Sequence, residues 1–485
     1  MRHFDLIIIG SGSGNSILTE DYEGLDVALV DGGTFGGTCL NVGCIPTKMY
    51  AYPATVARHA REVERLGVEA EVTRVRWREM RDRIFGRIDA ISRGGLDYRR
   101  SLPHVTVYAE HVRFTGPRTL RTASGEELTA EQIVVAAGSR PVLPEVPGID
   151  LPQVHTSDTV MRIEELPRRV VVVGGGYIGA EFAHVFSSLG SRVTQVNRSH
   201  RILRYHDPEI AERFAREAAR QWKLEMGWAL ASVTEAEGED GAVTATFTDP
   251  EDPTLTMQIP ADVVLVATGR RPNTDLLDVA AAGLDVREDG LLAVDEQQRA
   301  LAGGTPAEGV WALGDISSPY QLKHVANAEA RTVQHNLMHP GSLRATDHRF
   351  VPSAVFTSPQ IASVGMTQAE AEQWAVEHGT EITTKVQDYG STAYGWAMED
   401  HVGLCKLIAE KGTGRLLGAH LIGEEASVLI QPLVQAMSFG LDAHTMARGQ
   451  YWIHPALSEV VENALLGLEV PEHSPLAPEA LVARR

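Results

Sequence analysis

Cysteine is scarce, with three residues in 485, at positions 39, 44 and 405. So few thiols cannot build the disulfide framework of a small secreted domain, and a reducing compartment keeps ordinary thiols apart. Long apolar runs are missing too. The earliest, Leu6 to Ile9, is four residues long and leads directly into glycines. It is far short of the ~20 residues that span a bilayer, and too short for a signal-peptide core. Neither a membrane partner nor secretion is therefore expected, and the cytoplasm is the expected location. Positive charge is also in deficit: 44 Lys and Arg stand against 64 Asp and Glu, for a formal net charge of -20. Duplex binding depends on a basic face that neutralises phosphates, so nucleic acid is excluded as an expected partner.

What is present is a chain too long for one core, of about two to four domains, with an internal echo. FDLIIIGSGSGN reads as a buried strand, a glycine turn at Gly10, Gly12 and Gly14, and the start of a helix; Asp31 follows Gly10 by 21 residues, at the end of DVALVD. Such a turn lets backbone approach a pyrophosphate at a helix N-terminus, while the acid binds a ribose hydroxyl. The third glycine position is Asn15, a departure from the pattern. The echo, RRVVVVGGGYIGAEFA, supplies Gly174, Gly176 and Gly179 after an unbroken valine strand. There the acid is replaced by Asn197, with Arg198 and Arg204 following. Arginine accommodates a 2'-phosphate that a carboxylate would repel, so NADPH is expected over NADH; a solvated basic turn is the alternative. Each motif is followed by an apolar strand ending in a small-residue turn: Ala137 and Gly138 in EQIVVAAGSRP, Thr268 and Gly269 in ADVVLVATGRRPN. Two nucleotide-binding units, one inserted in the other, account for this. In GVWALGDISS, Asp315 after Gly314 either holds cofactor hydroxyls or caps the following turn.

Cys39 and Cys44 lie in GGTCLNVGCIPTK, just behind the first glycine motif. Zinc needs four ligands, and the other cysteine is far along the chain, so no metal is expected. A structural disulfide remains open. A helix begins at the pair, and a helix N-terminus favours a thiolate, which suits a reversible dithiol/disulfide couple.

GGTCLNVGCIPTK, the two glycine motifs, ATG, GD and a C-terminal HPALSE together resemble the pyridine nucleotide-disulfide oxidoreductases, whose members include glutathione reductase and lipoamide dehydrogenase. The resemblance spans residues 1 to 467. Three stretches, GSGSGNSILTEDY, STAYGWAMED and MARGQYWIHPALSEVVENALLGL, are similar to the branch that reduces the disulfide of mycothiol, a sugar-linked cysteine.

The implied fold class is α/β, with two Rossmann-like dinucleotide-binding domains and a C-terminal α+β dimerisation domain. The expected boundaries are 1–152 for an FAD domain, 153–275 for an inserted NADPH domain, 276–345 for the return to the FAD domain, 346–467 for a dimer-interface domain and 468–485 for a flexible tail. The resemblance implies FAD and NADPH as cofactors and a homodimer that shares its active site. It makes Cys44 the flavin-proximal thiol and Cys39 the thiol that attacks the substrate. His454 is implied as general acid/base, oriented by Glu459 and supplied by the other subunit. Toward FAD it further implies Gly37, Thr38, Lys48, His324, Val325 and Ala326. Lys48 pairs with Glu181 beside the flavin. Tyr177, followed by Ile178, is implied as a lid over the nicotinamide pocket. Lys323 and His324 stand where the family often has Thr-Pro.

Glutathione reductases carry an arginine seven positions after the equivalent of Ser13, where this chain has Glu20. A carboxylate there repels the glycine end of glutathione disulfide and tolerates the neutral, hydroxyl-rich disulfide of mycothiol. Glutathione disulfide, lipoamide and a non-enzymatic FAD-binding redox sensor remain the alternatives.

Overall fold

The computed structural model describes residues 1–236 and 242–472. The expected tail lies outside these residues from 473 onward. Two parallel sheets organise the first part of the chain. In one, the strands run Arg299–Ala302, Thr305–Ala312, Glu127–Val135, Arg2–Ile9, Val27–Val30, Val105–Tyr108, parallel from the second onward. In the other the order is Lys223–Met226, Arg192–Asn197, Arg169–Val173, Val263–Val266, Val154–His155, parallel throughout. Parallel strands buried on both faces need continuous apolar runs, which Leu6–Ile9, Val27–Val30 and Val170–Val173 supply. Burying the four valines 170–173 contributes about 6–12 kcal/mol by the usual side-chain transfer values.

The two sheets share one turn geometry. Gly10 N–H donates to Val30 O and Ala136 N–H to Ile9 O; Gly174 N–H donates to Val196 O and Ala267 N–H to Val173 O. Gly10 has φ +109° and a Cβ there would lie 2.2 Å from Ala136 O; Gly174 has φ +130°, with its Cβ 2.2 Å from Ala267 O. Only glycine fits either corner.

The crossovers after these corners differ. After Gly176 a regular helix, Tyr177–Leu189, crosses to the next strand. After Gly12 the expected helix is absent; the chain makes two short 3-10 turns, Gly14–Ile17 and Glu20–Tyr22. Arg99 explains the difference. Its guanidinium donates to Asn15 Oδ1 (2.7 Å), Asn15 O (2.9 Å) and Leu18 O (3.1 Å), occupying carbonyls that a helix would have used.

The chain passes between the sheets through an antiparallel pair, Ser139–Pro141 with Arg270–Pro272, and returns to the first sheet at Arg299–Ala302. A three-stranded antiparallel meander, Ala229–Glu235, Val243–Thr248 and Thr256–Ala261, packs beside the second sheet. From Ser353 the chain forms a five-stranded antiparallel sheet, in the order Ser353–Val355, Gln360–Gly365, Leu416–Gly423, Leu404–Glu410, Ile382–Asp388. The helices Gln431–Phe439 and Ser458–Leu466 cover this sheet. The helix Gln431–Phe439 buries Leu433, Val434, Ala436 and Met437, and leaves Phe439 exposed. No described helix is long and apolar enough to cross a membrane.

Candidate active site

Gly36 and Gly37, both at positive φ, turn the chain into a short helix, Gly37–Asn41, that carries Cys39. Asn41 ties this turn down by donating to Phe35 O (2.9 Å) and Gly37 O (3.0 Å). Cys44 is the first residue of the next helix, Cys44–Glu62. The two thiols hydrogen-bond to each other. That bond pushes the Cys39 thiol up, and burial adds to the effect. Cys44 is lowered to about 7, by the hydrogen bond from Cys39 and then by the Lys48 ammonium, against the opposing effects of burial and Glu181. Its place at a helix N-terminus acts in the same direction. Cys405 is fully buried in the C-terminal sheet, where burial raises its thiol pKa, and it takes no part in the pair.

Lys48, one turn into the Cys44 helix, donates to both carboxylate oxygens of Glu181 at 2.8 Å and lies 4.7 Å from the centre of the Phe356 ring. Glu181, 3% exposed, also accepts Phe356 N–H at 2.9 Å. The pair bridges the first unit to the helix of the second. At the head of that helix Tyr177 is exposed, within electrostatic range of Arg270, Asp315, Glu181 and Cys44.

The glycine turns leave room for nucleotides. Gly12 and Gly37 pack so closely that a Cβ on Gly37 would come within 2.8 Å of Gly12 Cα. Space above Gly176 is open, and a Cβ on Gly179 would lie 2.4 Å from Gly174 O. In the second unit bare backbone, close helix packing and a free helix N-terminus fit a dinucleotide pyrophosphate, and in the first the bare backbone of the glycine turn does. Asp31 takes Ser11 N–H on Oδ2 (2.7 Å) and Gly33 N–H on Oδ1 (2.8 Å), with the Ser11 hydroxyl as a further donor. Gly314, at φ +73°, lies against Ala326 at the start of the helix Lys323–Met338, beside Val325. Asp315 does not cap its own turn; its Oδ2 accepts from Ser139 Oγ at 2.7 Å, and Arg270 donates to that same hydroxyl at 2.8 Å. Ala137 O and Gly138 O are held by Asn273 (2.8 and 3.1 Å), and Gly269 O by Val142 N–H (3.0 Å).

In the second unit Asn197 shapes the loop that follows it. Its Nδ2 donates to Ser199 O and Ser199 Oγ (2.9 Å each) and Arg201 O (3.1 Å), leaving Arg198 and Arg204 exposed. Arg204 stacks on Tyr205 and donates to its hydroxyl.

His454 and Glu459 meet, with Nδ1 and Oε1 2.7 Å apart, and Glu459 Oε2 accepts Ala456 N–H at 3.3 Å. The imidazole is 71% exposed. Among the described residues no hydrogen bond joins it to either cysteine.

Sequence reading missed the contacts of three residues. Arg99 holds Asn15; Glu329, fully buried, accepts Gly314 N–H (2.7 Å) and contacts His348 (3.0 Å); Lys323 donates to Ser13 Oγ at 2.8 Å. His324, by contrast, turns outward to Pro352 O. The oddities of Asn15 and Lys323 were signals, but nothing in the sequence names their partners.

The family model of the pyridine nucleotide-disulphide oxidoreductases matches residues 4–331, and that of their dimerisation domain residues 351–465. The chain belongs to this family. It is 56% identical over 480 residues to the mycothione reductase of Mycobacterium tuberculosis strain H37Rv, covering 96% of this chain and all of that one. Identity to the dihydrolipoyl dehydrogenase of Haloferax volcanii is 33%, covering 95% and 96% of the two chains. Among solved structures, the HOCl-induced flavoprotein disulfide reductase of Escherichia coli superposes with a TM-score of 0.81 at 27% identity, covering 96% of this chain and 99% of that one. The protein is thus a flavin-dependent disulfide reductase, and its cofactors are FAD and NADPH.

Proposed function

We propose that this enzyme reduces the disulfide of mycothiol to two thiols at the expense of NADPH, through Cys39 and Cys44. The observation that carries the dithiol chemistry is the placement of Cys39 and Cys44 on two successive helices, with Cys44 opening its helix one turn before Lys48; Cys39 and Lys48 both lower the Cys44 thiol, to about 7. The substrate reading is supported by the mycothione reductase of 56% identity and by the exposed Glu20, which disfavours glutathione disulfide.

Bound FAD would supply the two-electron relay between NADPH and the Cys39–Cys44 disulfide. In this reading Gly10, Gly12, Gly14, Asp31, Gly37, Thr38, Ala137, Gly138, Gly314, Asp315 and the start of the helix Lys323–Met338 hold FAD. Gly174, Gly176, Tyr177, Ile178, Gly179, Gly269, Arg198 and Arg204 hold NADPH. Cys39, as thiolate, attacks one sulfur of the substrate; a mixed disulfide forms and the first thiolate leaves with the electron pair. Cys44 then attacks Cys39 Sγ, which closes the Cys39–Cys44 disulfide and expels the second thiolate. His454, held by Glu459, protonates the departing sulfur.

An imidazole that is positioned by a carboxylate and yet faces solvent is half of a site. Tyr451 and Ile453, its neighbours in sequence, are exposed, as are Phe439 and Trp396 elsewhere in the same part of the chain, apolar surface that a second copy of the chain would cover. In this reading the partner brings its histidine to these cysteines. A cytoplasmic setting, where thiols stay reduced, completes the reading.

The test is anaerobic NADPH oxidation by the purified holoenzyme, with mycothiol disulfide, glutathione disulfide and lipoamide at equal concentration. Preference for the first is expected; preference for either other overturns the substrate, and turnover with none overturns the enzyme.

A further inference from the structure

Each cysteine of the pair has a lysine of its own. Lys48 serves Cys44 and is neutralised by Glu181. Lys323 is placed differently. It opens the helix Lys323–Met338, is partly buried, and donates to Ser13 Oγ at 2.8 Å, while that hydroxyl donates on to Asn327 Oδ1 at 3.3 Å. No carboxylate contacts Lys323 among the described residues. Ser13 follows Gly12, which packs backbone to backbone against Gly37, and Gly37 begins the turn that carries Cys39. Through the Ser13 hydroxyl and the Gly12–Gly37 contact, an ammonium with no carboxylate partner among the described residues is anchored on the turn that packs against the turn of Cys39, within electrostatic range of its thiol.

We propose that Lys323 is the counter-ion of the Cys39 thiolate, a positioning residue that makes Cys39 competent to attack substrate once the disulfide is reduced. The proposal rests on the assignment of Cys39 as the attacking thiol. Its chemical logic follows from the thiol pair. The shared hydrogen bond lets one thiolate form at a time, and it favours Cys44. Attack requires that Cys39 give up its proton, which His454 accepts in the proposed reaction and returns to the leaving sulfur, so that Cys39 carries the charge. Lys48 favours charge on Cys44 instead, and the groups acting on Cys44 are Cys39, Lys48, Glu181 and Tyr177. On Cys39 the charged influences are Cys44 and Lys323, and Lys323 favours its thiolate. With it in place the electron pair moves from Cys39 into the new bond to substrate sulfur, the substrate S–S bond breaks, and the first thiolate leaves. Nothing beyond the dithiol and the substrate disulfide is consumed.

The test uses the NADPH-reduced holoenzyme under anaerobic conditions, alkylated with iodoacetamide across a pH series, each cysteine being read as its own peptide by mass spectrometry. In Lys323→Met, Cys39 alkylation at neutral pH should fall about tenfold and its profile move up by about one pH unit, as expected for loss of one nearby, partly screened charge. Lys323→Arg should restore the wild-type profile, which a merely structural role would not require. An unshifted Cys39 profile in Lys323→Met overturns the proposal, and so does an equal shift in both variants. If instead Cys39→Ser still reduces the substrate disulfide while Cys44→Ser does not, the assignment of the attacking thiol fails first, and the proposal falls with it.

Discussion

Lys48→Met and Glu181→Gln should move the Cys44 thiol in opposite directions, because the two side chains form one ion pair but act on the sulfur with opposite signs. The Lys48 side chain is 35% exposed, so a screened interaction is appropriate. A unit charge about 6 Å away in an effective dielectric of about 40 is worth about 1.4 kcal/mol, or about one pH unit. Lys48→Met should therefore take Cys44 from about 7 to about 8, cutting its thiolate at pH 7 about fivefold. Glu181→Gln should move it below 7. Because the folded thiol is depressed from its ordinary 9.0, its contribution to stability is present above pH 9 and lost as pH falls through about 7. Glu181 is 3% exposed, so removing Lys48 alone also strands a buried carboxylate at a cost of about 3–5 kcal/mol. The double variant avoids this cost and should titrate between the two single variants. The assay is the pH dependence of Cys44 alkylation in the anaerobic dithiol form, followed at the Cys44 peptide. Upward shifts in both single variants would refute the reasoning, since packing rather than charge would then control the thiol.

His454→Ala should lower disulfide turnover by about 10²- to 10⁴-fold while rapid-mixing measurements still show fast flavin reduction by NADPH; equal losses in both half-reactions would contradict its role. Arg198→Ala should reduce the ratio of kcat/KM for NADPH over NADH by about tenfold, the worth of one charge-assisted hydrogen bond. An unchanged ratio would return Arg198 to the solvated turn. Arg99→Met removes three hydrogen bonds from a buried guanidinium that is 8% exposed, and should cost about 2–4 kcal/mol. The loss is read as a lower thermal midpoint with earlier release of flavin fluorescence, and an unchanged midpoint would refute it.

Where one residue type meets a requirement no other can, the sequence was legible. Gly10 and Gly174 stand at corners where any Cβ would overlap a carbonyl, so the repeated architecture could be read from two short motifs. The valine strands were legible for a similar reason, since only continuous apolar runs suit a sheet covered on both faces. The antiparallel strands and helices of the last third carried ordinary periodicities. What escaped was long-range pairing between ordinary residues. The helix expected after Gly12 was lost to Arg99, 84 residues from Asn15, because a single side chain competed for its carbonyls. No local propensity encodes that competition.

The same limit applies at the thiols and determines where function must be sought. CxxxxC shows a couple, but the charges that act on its sulfurs come from other segments: Glu181 from the second unit on Cys44, and Lys323 from the returning first unit on Cys39, with Ser13 of the opening turn bonded to Lys323. Each is separated from the cysteines by a domain crossing or by a glycine contact that tolerates no side chain. Tuning of the pair is therefore a property of how the units are joined. A substitution that shifts that junction, at Gly12 or Gly37 for instance, should change thiol reactivity without altering either cysteine or either lysine.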